Sequence, residues 1–251
     1  MRRIVPFNFR RLGVSKKEIG FQGQRDRLAI LIDADNIRSG FLPLIIREAS
    51  AIGTIVIKRV YGHFGSPATA AWQPLVHEYT LSPVHVIPAA KGKNSTDLKL
   101  AVDAMDILHR GQVDGFCIAS SDSDFTSLAS RIREDGLSVY GFGEKKASNP
   151  YVKSCDRFFY CDLLLEKDPK GNASSGKQTN LPLKEILAAV DDTSGDDGWA
   201  HLGAVGSVLN KRMPDFDHRN YGFNKLSTLM ESISSVEYKS NGGGSNYVRR
   251  K

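Results

Sequence analysis

The stretch LAILIDADN places acidic side chains directly after an apolar segment. Residues 28–33 form a run typical of a strand buried on both faces, and that run ends in Asp33. Asp35 and the amide of Asn36 follow at once. Such side chains can serve a turn, because Asp and Asn bond to nearby backbone amides. They can also contribute to a site at the end of a sheet.

Two further segments bring aspartates to comparable places. The apolar run at 115–120 ends in Ser120 and is followed by Asp122 and Asp124. Asp97 lies in the first turn of a predicted helix that follows another strand. Each position also has a purely structural explanation, since Asp97 would favour the helix dipole. Asp122 and Asp124 would suit the start of a helix in the same way.

The coincidence of three such segments predicts a metal site. In an open parallel sheet, sites form beyond the carboxyl ends of the strands, where the strand order switches. Several carboxylates at one edge repel one another and raise each other's pKa values unless a cation neutralises them. Oxygen ligands without a nearby His or Cys select Mg²⁺ or Mn²⁺. Such an ion can activate a water and clamp a phosphodiester for in-line attack.

The elements that would position these groups alternate between apolar strands and amphipathic helices. Ser66 and Pro67 are a typical helix start, with serine as the cap and proline at the first helical position. This alternation predicts an α/β fold, a Rossmann-like parallel sheet with helices on both faces. The strands are predicted at 28–33, 54–62, 84–89, 115–120, 137–143 and 157–161, and the helices at 39–52, 67–80, 96–110 and 124–135.

The composition is that of an ordinary globular protein of 251 residues, 41% hydrophobic and 25% charged. No apolar run approaches the roughly 18 residues of a membrane span, so no membrane association is expected. Three cysteines without CxxC spacing indicate a reduced compartment, and we expect a cytoplasmic location. The six histidines show no paired spacing, which argues against zinc.

The formal charge of +6 is concentrated in the N-terminal arm. Residues 1–27 carry eight basic and two acidic residues, so the rest of the chain is balanced. The arm is predicted to be disordered. It is either a solvated tail, a contact for a polyanion such as nucleic acid, or an organellar transit peptide, although it contains one serine only.

The second half of the chain changes character after a polar segment. Residues 167–180 are rich in glycine and serine without periodicity, and they predict a flexible linker between a domain at 28–166 and a second one. Residues 181–251 predict three short helices followed by a hairpin around NGGG. That combination indicates a small winged-helix domain.

Three motifs of the first domain resemble those of the NYN domain, a PIN-like nuclease family, and its LabA-like branch in particular. The motifs are LIDADNI, KGKNSTDLKLAVDAM and IASSDSDFTSLASRIRE, which cover about residues 28–165. Ser121 stands where the family often has glycine. The resemblance implies a metal-dependent nuclease in which Asn36 helps to orient the site. The implied metal-binding and catalytic acids are Asp33, Asp97, Asp122 and Asp124.

The resemblance also suggests where substrate binds. Lys91 and Lys93, in the KGK before Asp97, would lie near substrate phosphates, unless they belong to a solvated loop. Ser120 is assigned to substrate binding as well.

The C-terminal segment is similar to the OST-HTH/LOTUS domain, a winged-helix fold implicated in RNA binding and in protein partnering. The run from Pro214 to Leu226 carries that similarity. If the basic residues of this domain share a face, they form a phosphate-binding patch. Tyr221 could stack on a base, although Phe216, Tyr221 and Phe223 are more typical of a core. The patch candidates are Lys211, Arg212, Arg219 and Lys225.

Three functions agree with this pattern. The first is an endoribonuclease dependent on Mg²⁺ or Mn²⁺ that acts on RNA, single-stranded by expectation. The second is an RNA-binding or regulatory protein with little or no turnover on the same fold. The third is a haloacid-dehalogenase-like phosphatase, with Asp33 as nucleophile and Asp35 as acid, although Ile37 stands where that family has Thr or Val.

Overall fold

The first apolar run forms the buried centre of a parallel sheet. The structure, a computed structural model, describes residues 25–87, 94–165, 181–241 and 245–251. Its large sheet has six strands in the order β3-β2-β1-β4-β5-β6, all neighbours parallel. The strands are β1 (Arg27–Asp33), β2 (Thr54–Gly62), β3 (Ser82–His85), β4 (Gly115–Ala119), β5 (Ser138–Gly143) and β6 (Arg157–Tyr160).

Helices cover both faces of this sheet, as the alternation predicted. Ala29 and Leu31 of β1 face one apolar cluster, while Leu28, Ile30 and Ile32 face the other. The first cluster is completed by α3, α4 and α5, and the second by α1, α2 and α6. Those helices are α1 (Leu42–Ile52), α2 (Trp72–Glu78), α3 (Ser95–Arg110), α4 (Phe125–Glu134), α5 (Asn149–Ser154) and α6 (Cys161–Leu165).

The predicted strands and helices are largely confirmed, but α5 and α6 were not predicted, and the third strand and the start of the second predicted helix differ from the prediction. The third strand occupies Ser82–His85 rather than 84–89 and so includes Pro83. A proline is tolerated there because β3 pairs on one side only; residues 88–93 lie outside the described part of the chain. The helix predicted from 67 starts as a 3-10 turn, in which Ser66 Oγ accepts from the backbone N–H of Ala68 at 3.3 Å.

The C-terminal module has its own apolar core. Three helices pack against a small antiparallel sheet in the order β7-β9-β8, which is the arrangement of a winged helix. Its elements are α7 (Leu183–Thr193), β7 (Ala200–His201), α8 (Leu202–Arg212), α9 (Leu226–Glu231), β8 (Val236–Asn241) and β9 (Ser245–Arg250). In the described parts of the chain, no helix combines the length and the apolar character needed to cross a membrane.

The winged helix contacts the edge of the large sheet. The backbone N–H of Phe158 in β6 donates to the carbonyl of Pro214 at 2.7 Å. Tyr160, two residues further along β6, donates its hydroxyl to Asp215 at 3.1 Å. The segment just after α8 therefore extends the hydrogen bonding of β6.

Candidate metal centre

The carboxyl ends of β1 and β4 meet, as the strand-end argument requires. Because β1 lies between β2 and β4, the last residues of β1 and β4 are neighbours in space. Ser120 follows β4, and its hydroxyl donates to Asp33 Oδ2 at 2.8 Å across 87 residues of sequence. Two of the three acidic segments are therefore joined by a direct hydrogen bond.

Asp33 is a fully buried carboxylate with hydrogen bonds to both oxygens. Its Oδ1 accepts from the backbone amides of Asp35 and Asn36 at 3.2 and 3.3 Å. Its Oδ2 accepts from Asn36 Nδ2 at 2.9 Å as well as from Ser120. Burial raises the pKa of Asp33, and the hydrogen bonds from Asn36 and Ser120 oppose that rise. Asp33 thus organises the turn after β1, and direct metal ligation by it stays a prediction.

Burial of Asp33 also counts against the phosphatase alternative. A nucleophilic aspartate has to reach the phosphorus of its substrate, but the side chain of Asp33 has no exposed surface. Asp35, the acid of that mechanism, is exposed and accepts a hydrogen bond from the hydroxyl of Thr96 at 2.8 Å. The pair therefore lacks the accessible nucleophile of that chemistry.

Three of the predicted acids form a cluster that is open to solvent. Asp97, Asp122 and Asp124 each offer a carboxylate oxygen, and these atoms lie within 4.8 Å of one another. Asp97 comes from the first turn of α3, whereas Asp122 and Asp124 come from the loop between β4 and α4. The cluster is formed where the two helices begin, beyond the end of β4.

Backbone and amide groups fix the loop that carries two of these acids. The hydroxyl of Ser120 accepts from the backbone N–H of Asp122 at 3.1 Å. Asp122 Oδ1 accepts in turn from the backbone N–H of Asp124 at 3.0 Å. Asn94 donates from Nδ2 to Asp124 at 2.6 Å. Each acid is therefore held by at least one bond that does not depend on a cation.

Burial and neighbouring negative charges both act against the ionised form of Asp97. Burial raises the pKa of Asp97 to about 6, and the charges of Asp33, Asp122, Asp124 and Asp35 add to the rise. Its Oδ1 is buried and has no hydrogen-bond partner among the described residues. A buried acceptor without a partner costs free energy, roughly 1–3 kcal/mol.

The donor set fits a hard divalent cation. An ion such as Mg²⁺ binds carboxylate oxygens at about 2.1 Å, so oxygens on opposite sides of it lie about 4.2 Å apart. Adjacent oxygens of the same octahedron lie about 3 Å apart, so the three carboxylate oxygens, which lie within 4.8 Å of one another, have to move closer together to bind one ion. The unpartnered Oδ1 of Asp97 would then be satisfied as well.

Ser121, which replaces the glycine typical of the family motif, makes a side-chain hydrogen bond from this loop. Its hydroxyl accepts from the backbone N–H of Glu144, just after β5, at 2.9 Å. The substitution therefore ties the β4–α4 loop to the next strand.

The predicted substrate contacts of the first domain have different outcomes. Lys91 and Lys93 lie outside the described residues, so their role stays a prediction. Ser120 requires a correction, because it is fully buried and its hydroxyl bridges Asp33 and the amide of Asp122. It positions the acids and has no surface with which to contact RNA.

Some of the basic residues predicted to bind phosphate on the winged helix are exposed, and others pair with carboxylates. Lys211 and Lys225 are exposed, in agreement with a surface role, and Arg212 pairs with Asp192. Arg219 requires a correction, because its guanidinium bonds to the carboxylates of Glu48 and Asp217 rather than facing a free surface.

The aromatic residues between Pro214 and Leu226 belong to the core, as the sequence analysis favoured for Phe216, Tyr221 and Phe223. Phe216 is buried, and its ring lies 5.9 Å from that of Tyr221. Tyr221 and Phe223 pack against the core of the winged helix.

Sequence reasoning missed the polar residues around the acids. Asn94 and Thr96 bond to Asp124 and Asp35, respectively. Their place directly before Asp97 was the available signal, because a polar run at a helix start can serve neighbouring loops as well as its own helix.

Comparison with known proteins decides the family. The sequence model of the NYN domain family matches residues 27–165. The chain belongs to the NYN family. The model of the OST-HTH/LOTUS domain matches residues 177–248 of this NYN protein. NYN domains are PIN-like nucleases and OST-HTH domains bind RNA, so both modules of the chain point to nucleic acid.

Solved structures similar to this NYN protein carry no functional description. A protein of unknown function from Vibrio parahaemolyticus is 18% identical, with a TM-score of 0.47, and the match covers 55% of this chain and 94% of that one. An uncharacterized protein from Nitrosomonas europaea is 36% identical over 34% of this chain and 87% of that one, with a TM-score of 0.28. A protein from Chromobacterium violaceum is 32% identical over 30% and 84%, with a TM-score of 0.24. No curated protein matches the chain.

Proposed function

We propose that this NYN protein is a divalent-metal-dependent endoribonuclease that hydrolyses phosphodiester bonds in single-stranded RNA. The observation that carries the proposal is the cluster of Asp97, Asp122 and Asp124, in which a buried carboxylate oxygen of Asp97 has no hydrogen-bond partner within the described part of the chain. Mg²⁺ or Mn²⁺, when bound, supplies positive charge that makes a water more nucleophilic and stabilises the charge on the phosphate.

The residues of the cluster divide the work between holding and positioning. Asp97, Asp122 and Asp124 would hold the ion, and Asn94 keeps Asp124 aimed at its neighbours through the 2.6 Å hydrogen bond. Asp33 contributes negative charge from behind the cluster and anchors the loop through Ser120. Asn36 fixes the carboxylate of Asp33, which agrees with the orienting role that the family resemblance implies.

We further propose a division of labour between a nuclease domain at 28–166 and a winged helix at 181–251 that recruits RNA or a protein partner, joined by the segment 167–180. The separate apolar cores of the two modules support this division. Lys211 and Lys225 are exposed on the winged helix and suit phosphate contacts. A cytoplasmic location belongs to the same proposal.

The test is cleavage of a labelled single-stranded RNA by the full chain with Mn²⁺ or Mg²⁺. Activity should disappear with EDTA and in the Asp122→Asn, Asp124→Asn double variant. Asp106→Asn is the matched control, because Asp106 is an exposed aspartate of α3 that pairs with Arg110. RNA binding without cleavage of any of several RNAs would favour a binding protein, and cleavage that survives the double variant would place the chemistry elsewhere.

A further inference from the structure

A groove between α3 and α4 begins at the acidic cluster. Its volume is about 400 Å³, and Asp97 and Asp124 line one end. Leu98, Ala101 and Met105 line the α3 side. Phe125 and Leu128 line the α4 side, and Arg131 lies further along the same helix. Most of the lining is therefore apolar, in contrast to the carboxylates at its end.

The helical period explains why this groove is continuous with the cluster. Side chains three or four residues apart share one face of a helix, so Asp97, Ala101 and Met105 lie in one row along α3. The same period places Asp124, Leu128 and Arg131 in a row along α4. Eight residues of helix span about 12 Å, which makes the groove long enough for one or two nucleotides beside the cluster.

The exposure of its wall marks this groove as more than a packing defect. Leu98 is 67% exposed, although it is next to Asp97 in sequence. A large apolar side chain at the edge of a carboxylate cluster gains little from water. It does fit a ligand with an apolar face.

We propose that the groove holds an unpaired nucleobase of the RNA, next to the phosphate at the acidic cluster. This inference rests on the proposed function. The lining beyond the carboxylates is mainly apolar, and the flat face of a base is uncharged and packs on Leu98 and Met105.

The same groove accounts for a preference for single-stranded substrate. A base that is paired and stacked in a duplex cannot enter a groove between two helices without first being unpaired and flipped out, which costs free energy. The polar groups along the groove are few, namely Asn94, Ser127 and Arg131, and Arg131 pairs with Asp135. Because apolar contacts do not read base edges, cleavage is expected with little dependence on base identity.

The test combines groove variants with abasic RNA. Leu98→Ala removes part of the exposed wall, and Ala101→Leu fills the groove from its floor. Val102→Ala is the matched control, because Val102 is 55% exposed on the same helix but does not line the groove. Each variant is assayed with Mn²⁺ on single-stranded RNA, either intact or with one abasic nucleotide walked along the sequence.

The expected result is a roughly tenfold loss of kcat/KM for Leu98→Ala and Ala101→Leu on intact RNA, and no loss for Val102→Ala. An abasic nucleotide beside the cleaved bond should lower kcat/KM of the parent protein by a similar factor. On that abasic RNA, the two groove variants should have the same kcat/KM as the parent. Unchanged thermal midpoints would show that the variants fold.

Three results would overturn the inference. The first is a kcat/KM of the groove variants equal to that of the parent on intact RNA. The second is a groove variant that is slower than the parent on abasic RNA by the same factor as on intact RNA. Either result would mean that the base lies elsewhere while the nuclease assignment stands. If the parent shows no metal-dependent cleavage that the Asp122→Asn, Asp124→Asn variant abolishes, the proposed function fails and the groove has no RNA to hold.

Discussion

Arg219 and Glu48 form two parallel hydrogen bonds across 171 residues of sequence. The Nη1 and Nη2 atoms of Arg219 each lie 2.9 Å from one carboxylate oxygen of Glu48. The fork geometry of a guanidinium matches a carboxylate in this way. Asp217 bonds to the same guanidinium from within the winged helix. The pair therefore joins α1 of the first domain to the winged helix.

Arg219→Ala should lower the free energy of unfolding by about 1–3 kcal/mol, because Glu48 and Asp217 would both lose their cation while largely buried. Chemical denaturation of the full chain measures this loss. Arg212→Ala is the control, because its pair with Asp192 is exposed and should contribute less than about 1 kcal/mol.

A double-mutant cycle with Glu48→Ala isolates the interaction between the two modules. If the losses from Arg219→Ala and Glu48→Ala simply add, the two side chains do not interact in solution, and the contact between α1 and the winged helix is wrong.

The same pair should make the contact between the modules sensitive to acid. Burial acts to raise the pKa of Glu48, but the hydrogen bonds and charge of Arg219 outweigh it, and the pKa lies below its ordinary value of 4.5. The stabilisation is therefore present above about pH 4.5 and is lost as the pH falls through the lower pKa of the folded state. Denaturation between neutral and acidic pH should show a smaller acid-dependent loss for Arg219→Ala than for the parent. Identical pH dependence of the two proteins would contradict this prediction.

Asp97→Asn should stabilise the metal-free protein and abolish its response to metal. The pKa of Asp97 is raised from 3.8 to about 6, so its ionised form costs stability, and that cost develops as the pH rises between these values. The thermal midpoint of the variant should exceed that of the parent by a few degrees at pH 8 and match it below about pH 4. Mn²⁺ should raise the midpoint of the parent only, because ligand binding to the folded state stabilises it. A variant that still responds to Mn²⁺ would remove Asp97 from the metal centre.

Ser120→Ala should reduce both stability and activity. It leaves Asp33 Oδ2 without one donor and the amide of Asp122 without its acceptor, at a cost of about 1–3 kcal/mol. The loop that holds Asp122 and Asp124 would loosen, so cleavage should slow with a smaller effect on RNA affinity. Ser123→Ala, an exposed serine of the same loop, is the control for denaturation and kinetics. Equal kinetics for the Ser120 variant and the parent would show that the bridge does not position the acids.

The acidic cluster could be predicted because its geometry follows from topology. Once β1 and β4 are neighbours in a parallel sheet, the residues after them must meet, and the polar residues there were visible in the sequence. The rule that sites form beyond the carboxyl ends of parallel strands does not say how deeply each side chain is buried. It placed Asp33 and Asp122 at one edge, but did not show that Asp33 and Ser120 lie beneath the surface while Asp122 lies near it.

The partner of Arg219 could not be predicted from local pattern. A basic residue in a winged helix similar to RNA-binding domains favours a phosphate contact, and the amphipathic pattern at 39–52 does not mark Glu48 as a partner for it. The pairing depends on how α1 meets the winged helix, and neither hydrophobic period nor charge pattern encodes that contact. The groove beside the cluster could not be predicted for the same reason. Leu98 and Leu128 line it together only once α3 and α4 pack against each other.

The bond from Phe158 to Pro214 has a consequence for the behaviour of the protein at high concentration. An exposed edge strand is a template on which a second chain can add a strand, and natural proteins shorten, interrupt or cover such edges. The two edges of the large sheet are treated differently, since β3 is four residues long and contains Pro83, whereas the edge at β6 is occupied by the carbonyl of the second module. Because the winged helix covers part of this edge, we expect it to oppose edge-to-edge association of two chains.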